Sequence, residues 1–167
     1  MVDRPGSGSE RMGAAVEAEQ LLRLVIGMAA GLVIGWQRTV RHKNVGIRTF
    51  GLVGLGTAAV SSLFSETLHP DAASRIVQGV LTGIGFLGAG LIIRRNNDLM
   101  PHGLTTAAAI WVTAALGCAA GLGHWQVAGA ATVLALVLLF LDHSVERWVA
   151  GRPPPPKELR DDGPKAD

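Results

Sequence analysis

The chain has 167 residues, 49% of them hydrophobic, with 15 Lys and Arg against 13 Asp and Glu for a formal charge of +2. That length suits one domain, and so small a basic excess, dispersed between apolar stretches, excludes a nucleic-acid surface. A single cysteine, Cys118, excludes an intrachain disulfide and a thiolate metal cluster; inside an apolar stretch it reads as a small packing residue.

Residues 1–19 mix glycine and serine with Asp3, Arg4, Glu10, Arg11, Glu17 and Glu19, a composition expected to be disordered up to the start of the first helix. No apolar core precedes Leu21, so no cleaved signal peptide is expected and the first span acts as its own signal. From there apolar residues come in blocks: Leu21–Trp36, Phe50–Leu63, Ile76–Ile93, Leu104–Leu122 and Trp125–Leu141. Most approach the ~17–25 residues that cross a hydrocarbon core. The blocks predict an all-α polytopic membrane protein, a bundle of about five transmembrane helices over 20–142, its second span the shortest.

Glycines mark the first and third blocks. Gly27, Gly31 and Gly35 form a tandem GxxxG. The run GVLTGIGFLGAG carries Gly79, Gly83, Gly85, Gly88 and Gly90 without a charge between Ile76 and Ile93. Each interior glycine costs a helix in water roughly 1 kcal/mol relative to alanine, whereas in lipid such spacing lets backbones approach. Packing of span one against span three through these glycines is preferred over a self-association surface. The fourth block opens Gly103-Leu104-Thr105-Thr106, which turns hydroxyls and unpaired N–H groups toward one mouth of the bundle; a threonine N-cap explains the motif equally well. Past Leu141 the helical spacing of Asp142, Glu146 and Arg147 continues, then Pro153–Pro156 impose an extended polyproline rod, and 143–167 is read as a cytoplasmic Pro-rich charged tail.

Charge placement sets the orientation. The first loop holds Arg38, Arg41, Lys43 and Arg48 without an acid, and the third holds Arg94 and Arg95 beside Asp98; the second offers Glu66 and Asp71 against Arg75, and the fourth has no Lys or Arg. By the positive-inside rule loops one and three are cytoplasmic, the N-terminus is outside and the C-terminus inside.

Chemistry falls to a few polar residues at membrane depth. Arg23 and Arg75 lie near span ends, where a guanidinium can snorkel. Gln78, Thr82, Thr105, Thr106 and Thr113 are expected to bond across helices. No Asp or Glu lies deep in a span, against a proton relay or a carboxylate cage for a cation. GxxxxGK[ST], HExxH and GxSxG are all absent, and the five histidines sit at span ends or in loops without ligand spacing. No enzyme activity, cofactor, metal or nucleotide site is expected; the expected partners are the lipid bilayer and other membrane proteins or a second copy.

The order GIRTFGLVGLGTA, DAASRI, GIGFLGAGLII and HGLTTAAAIWVTAALGCAAGLG resembles the membrane region of the MgtC/SapB family, over roughly Leu21 to Leu141. The resemblance implies a bacterial inner-membrane protein of about five spans, associated with growth in low magnesium and, in pathogens, with survival inside macrophages. The motif positions it carries over are Gly46, Arg48 and Thr49 after the first loop and Asp71 and Arg75 before the third span. Gly83, Gly85, Phe86, Leu87, Gly88, Ala89 and Gly90 match the glycine helix, and Gly103 to Ala108 with Trp111 the fourth-span opening. Arg48 is expected at the cytoplasmic mouth near Thr105 and Thr106, and Arg75 paired with Asp71 four residues earlier.

Departures from the family pattern matter. Gly35-Trp36-Gln37-Arg38 puts a neutral glutamine where the family has an acid, which argues against direct magnesium binding. Gly79 takes the place of a third-span glutamine, with Gln78 one residue earlier. The charged stretch after the prolines is too short to bury a core, so no C-terminal soluble domain like that of longer members is expected. A regulatory or interaction protein and a small cation transporter or channel subunit are the two functional classes implied, and the lack of deep carboxylates favours the first.

Overall fold

A computed structural model describes residues 7–43, 45–64, 70–92 and 103–150, with side chains described between 10 and 141. Five helices follow in order: α1 (Ser7–Val40), α2 (Ile47–Ser62), α3 (Pro70–Leu91), α4 (Leu104–Gly121) and α5 (Trp125–Ala150). The described residues contain no strand. Three stretches are long and apolar enough to cross a membrane: Glu10–Val40, Pro70–Leu91 and Leu104–Gly121. The apolar part of α5, Trp125–Leu141, is shorter, and α2 has 16 residues, about 24 Å of helix against a hydrocarbon core of about 30 Å.

α1 begins earlier than its apolar block predicts. Residues 7–19, expected to be disordered, are helical, because Glu10, Arg11, Ala14, Ala15, Glu17 and Ala18 are strong helix formers. α5 likewise runs through 143–150, into the segment read as tail. Residues 1–6, 65–69 with Glu66, 93–102 with Arg94, Arg95 and Asp98, and the proline run within 151–167 lie outside the described residues.

The helices alternate in direction around α4, which touches each of the other four. Contact with α1 and α2 is closest because glycine meets backbone. A Cβ placed on Gly27 would stand 2.6 Å from the Ala58 Cβ and 2.8 Å from the Gly54 carbonyl oxygen; one on Gly35 would stand 2.7 Å from the Ile47 Cα. One on Gly31 would overlap the Phe50 carbonyl. α4 approaches the same helix through Gly117, against Thr57 and Gly54, and Gly121, against Ala58 and Ser61. α2 is thus wedged between the glycine faces of α1 and α4, and its Phe50, Gly51, Gly54, Thr57, Ala58 and Ser61 are buried.

This corrects the expected packing of span one on span three. Gly27, Gly31 and Gly35 face α2, while a Cβ on Gly79, Gly83, Gly85 or Gly90 would meet nothing within 4 Å, and one on Gly88 would make only ordinary contact with Ala107 at 3.6 Å. α2 and α4 bring backbone to the α1 glycines; α3 lies on the far side of α4 and touches α4 and, slightly, α2.

Two helix ends close with the same hydrogen-bonded turn. After α1 the Lys43 N–H donates to the Arg38 carbonyl and the His42 N–H to that of Thr39, with His42 at φ 52°. After α4 the His124 N–H donates to Ala119 and the Gly123 N–H to Ala120, with Gly123 at φ 93°. Both satisfy carbonyls that a helix end leaves unpaired, through a left-handed residue just past the cap.

Candidate functional site

Buried polar side chains gather at the end of the bundle where α1 stops and α4 starts. α1 continues to Val40, so Gln37 and Arg38, counted as loop residues from the sequence, lie in its last turns. Both are 2% exposed. Arg38 follows Gly31 and Gly35 by seven and three residues, and this register puts it on the glycine face that turns inward.

The Arg38 guanidinium donates through Nη2 to the Thr106 hydroxyl at 2.7 Å. Thr106 is 7% exposed, in the first turn of α4, where helix N–H groups leave a positive end that gains nothing from a cation. The side-chain bond, not the dipole, therefore ties arginine to this helix. Gln37 reaches the third helix of the mouth: its Nε2 donates to the Leu139 carbonyl of α5 at 2.9 Å. A carboxylate at this position could not donate to a carbonyl oxygen, so the glutamine suits the α1–α5 contact that this chain builds. Its Oε1 is buried without a hydrogen-bond partner.

Thr39 completes the corner. Its hydroxyl donates to the Gly35 carbonyl at 2.9 Å and accepts the Ile47 N–H at 3.0 Å, supplying the first turn of α2 with a partner that α2 itself lacks. Arg41 lies over the Phe140 ring of α5, 5.9 Å from its centre, at the long end of cation–π range. Below the polar layer an apolar cavity of about 230 Å³ opens between Ile34 of α1, Thr105, Ala108 and Val112 of α4, and Ala135 and Leu138 of α5.

The other sequence candidates separate. Arg48 and Thr49 are exposed in the first turn of α2, so Arg38 occupies the place beside Thr106 expected for Arg48. Asp71 and Arg75 are both exposed, and the ion pair among the described residues joins Glu19 to Arg23 instead. Arg23 also donates to the Gly121 carbonyl at 3.1 Å, holding the far end of α4. Thr105 is exposed at the cavity rim and Trp111 is exposed on the lipid-facing side.

Two of the threonines expected to bridge helices bond at home. Thr82 donates to Gln78 and Thr113 to Ala109, each one turn back, as Thr57 does to Val53, the usual fate of a hydroxyl where water is lacking. Gln78 is exposed and its amide meets no other helix. The residue at the N-cap of α4 is Gly103, not a threonine; its φ of 96° and the nearby Leu91 carbonyl leave no room for a side chain. Cys118 is buried in α4 as a packing residue. Sequence reading weighed Gln37 only as the loss of an acid and Arg38 only as a loop charge, and missed that both are buried, although the Gly31, Gly35, Arg38 spacing carried the signal for Arg38.

The MgtC family model matches residues 24–148, a span that includes the α1 glycines, the mouth and all of α4. Among curated proteins the chain is 39% identical to SrpB of Synechococcus elongatus, covering 84% of this chain and 91% of that protein. It is 39% identical to YhiD of Escherichia coli, which carries a magnesium-transporter name, over 77% of this chain and 62% of YhiD. It is 43% identical to MgtC of Salmonella typhimurium over 70% of this chain and 49% of MgtC. The chain thus spans about half of MgtC and three-fifths of YhiD but nearly all of SrpB. No solved structure matches. With the family model covering most of the chain and reaching every described helix in whole or in part, this all-α membrane protein belongs to the MgtC family.

Proposed function

We propose that this chain is a regulatory or interaction protein of the bacterial inner membrane, linked to magnesium homeostasis and to growth when magnesium is scarce. The observation that carries the reading is the buried Arg38 guanidinium bonded to Thr106 at the mouth. Mg²⁺ is usually held through one or two carboxylates, whereas the buried side chains described at this mouth are an amide, a guanidinium and a hydroxyl. Among the described residues no three His, Cys, Asp or Glu converge. The magnesium link is supported by the family and by the name of YhiD. A role in virulence belongs to this proposal only for a pathogen host.

In the same reading the mouth faces the cytoplasm, following the basic first loop. The test is made in intact cells limited for magnesium. Growth should depend on the chain while the initial rate of magnesium uptake stays independent of its abundance. In a Cys118→Ala background an impermeant thiol reagent should label Gln126→Cys and spare Lys43→Cys. Uptake rising in proportion to the amount of protein would favour the alternative, a cation transporter subunit, and the reverse labelling would invert the orientation.

A further inference from the structure

α3 is amphipathic the wrong way round for a helix in lipid. Its buried face is Ala73, Ile84 and Gly88, flanked by the half-buried Val77, Val80 and Leu81. Directly opposite stand Asp71, Arg75, Gln78 and Thr82, spaced four, three and four residues apart and all exposed. Asp71 and Arg75 sit at the start of α3, where headgroups and water can meet them; Gln78 and Thr82 lie inside the apolar block, where polar residues ordinarily turn toward other protein, and here they turn away from their own bundle. The Gln78 amide has no hydrogen-bond partner among the described residues, and hydrocarbon offers none. Beside this polar row Gly79, Gly83 and Gly90 lie open, with nothing within 4 Å of a Cβ position, and Phe86 between them is 82% exposed. In α3 only 11% of the membrane-length window is buried, against 56% in α4.

We propose that this face is covered by α3 of a second copy of the same chain, in a parallel dimer whose twofold axis runs along the membrane normal. Copies inserted by one route share an orientation, and such an axis brings each residue to the depth of its twin. Gln78 suits that geometry because its amide both donates and accepts, so two of them satisfy each other. Asp71 and Arg75 lie one turn, about 6 Å, apart along the helix, a step that the long Arg75 side chain can cross to reach the partner's Asp71. Gly79 and Gly83 let the two backbones close far enough for those bonds to form. An acyl chain would bury the glycines but leave Gln78 unpaired. The inference is independent of the magnesium reading.

The test uses the full chain in native membranes, in a Cys118→Ala background. Under mild oxidation Thr82→Cys should give a disulfide-linked dimer of the chain with itself, whereas Val133→Cys, exposed on α5, should give none. Adding Gly83→Leu to Thr82→Cys should abolish the cross-link. A Cβ at Gly83 meets nothing within 4 Å among the described residues, so the monomer should keep its thermal stability. Gln78→Leu should weaken the dimer by about threefold for each hydrogen bond lost, taking the average ~0.6 kcal/mol for such bonds in membranes. Thr82→Cys cross-linking no more than Val133→Cys, or cross-linking that survives Gly83→Leu, would overturn the proposal. A Thr82→Cys product containing a different membrane protein would overturn the assignment of the second copy.

Discussion

Arg38 and Thr106 form the bond on which the mouth turns. Both partners are almost fully buried and one is charged, so the bond belongs with the stronger ones; membrane hydrogen bonds reach about 1.7 kcal/mol and those to charged groups about 1.5–3 kcal/mol. Thr106→Val keeps the shape of the side chain and removes one acceptor from the guanidinium. It should lower stability in detergent by roughly 1.5 kcal/mol, while Thr105→Val at the exposed rim should change it by less than about 0.5 kcal/mol. Thermal unfolding of the two variants checks this, and equal losses would show that Arg38 does not depend on Thr106. Sequence reading found Thr106 because its GLTT motif stands out, yet gave its partner as Arg48. The error was one of helix length. The apolar block stops at Trp36, whereas the hydrogen-bonded helix carries Gln37 and Arg38 for another turn into the interior.

At the scale of whole helices, composition was legible and pairing was not. Each apolar block coincides with one of α1 to α5, because hydrophobic length is a one-dimensional property, although α1 starts 14 residues and α3 six residues before its block. Which glycine face meets which helix depends on what the partner offers, and two GxxxG-like rows look alike in sequence. The α1 row found α2, whose Phe50, Gly51 and Gly54 present bare backbone; the α3 row found nothing inside the chain. The contrast is measurable with one methyl group. Gly31→Ala drives a Cβ into the Phe50 carbonyl and should cost about 1–3 kcal/mol, the range for overpacking. Gly83→Ala meets nothing within the protomer and should leave detergent-solubilised monomer within about 0.5 kcal/mol of wild type. Comparable loss for both would mean that α3 packs against its own bundle more tightly than these contacts describe.

Taken as a whole, the molecule is asymmetric in how firmly its helices are held. α1, α2 and α4 meet through glycine and backbone and form a rigid wedge, with Arg23 holding the far end of α4 and Arg38 the near end. α3 and α5 lie outside this wedge, leaving a polar outer face on α3 and an apolar cavity of about 230 Å³ beneath the mouth. On the reading proposed above, this wedge serves to bind other membrane proteins and not to pass Mg²⁺. The central claim is therefore that the bundle does not conduct magnesium. Its most direct test is magnesium entry into liposomes containing the purified full chain, with and without an imposed membrane potential. The account predicts entry no faster than into protein-free liposomes under either condition; entry that rises with the amount of protein and saturates with magnesium would contradict it.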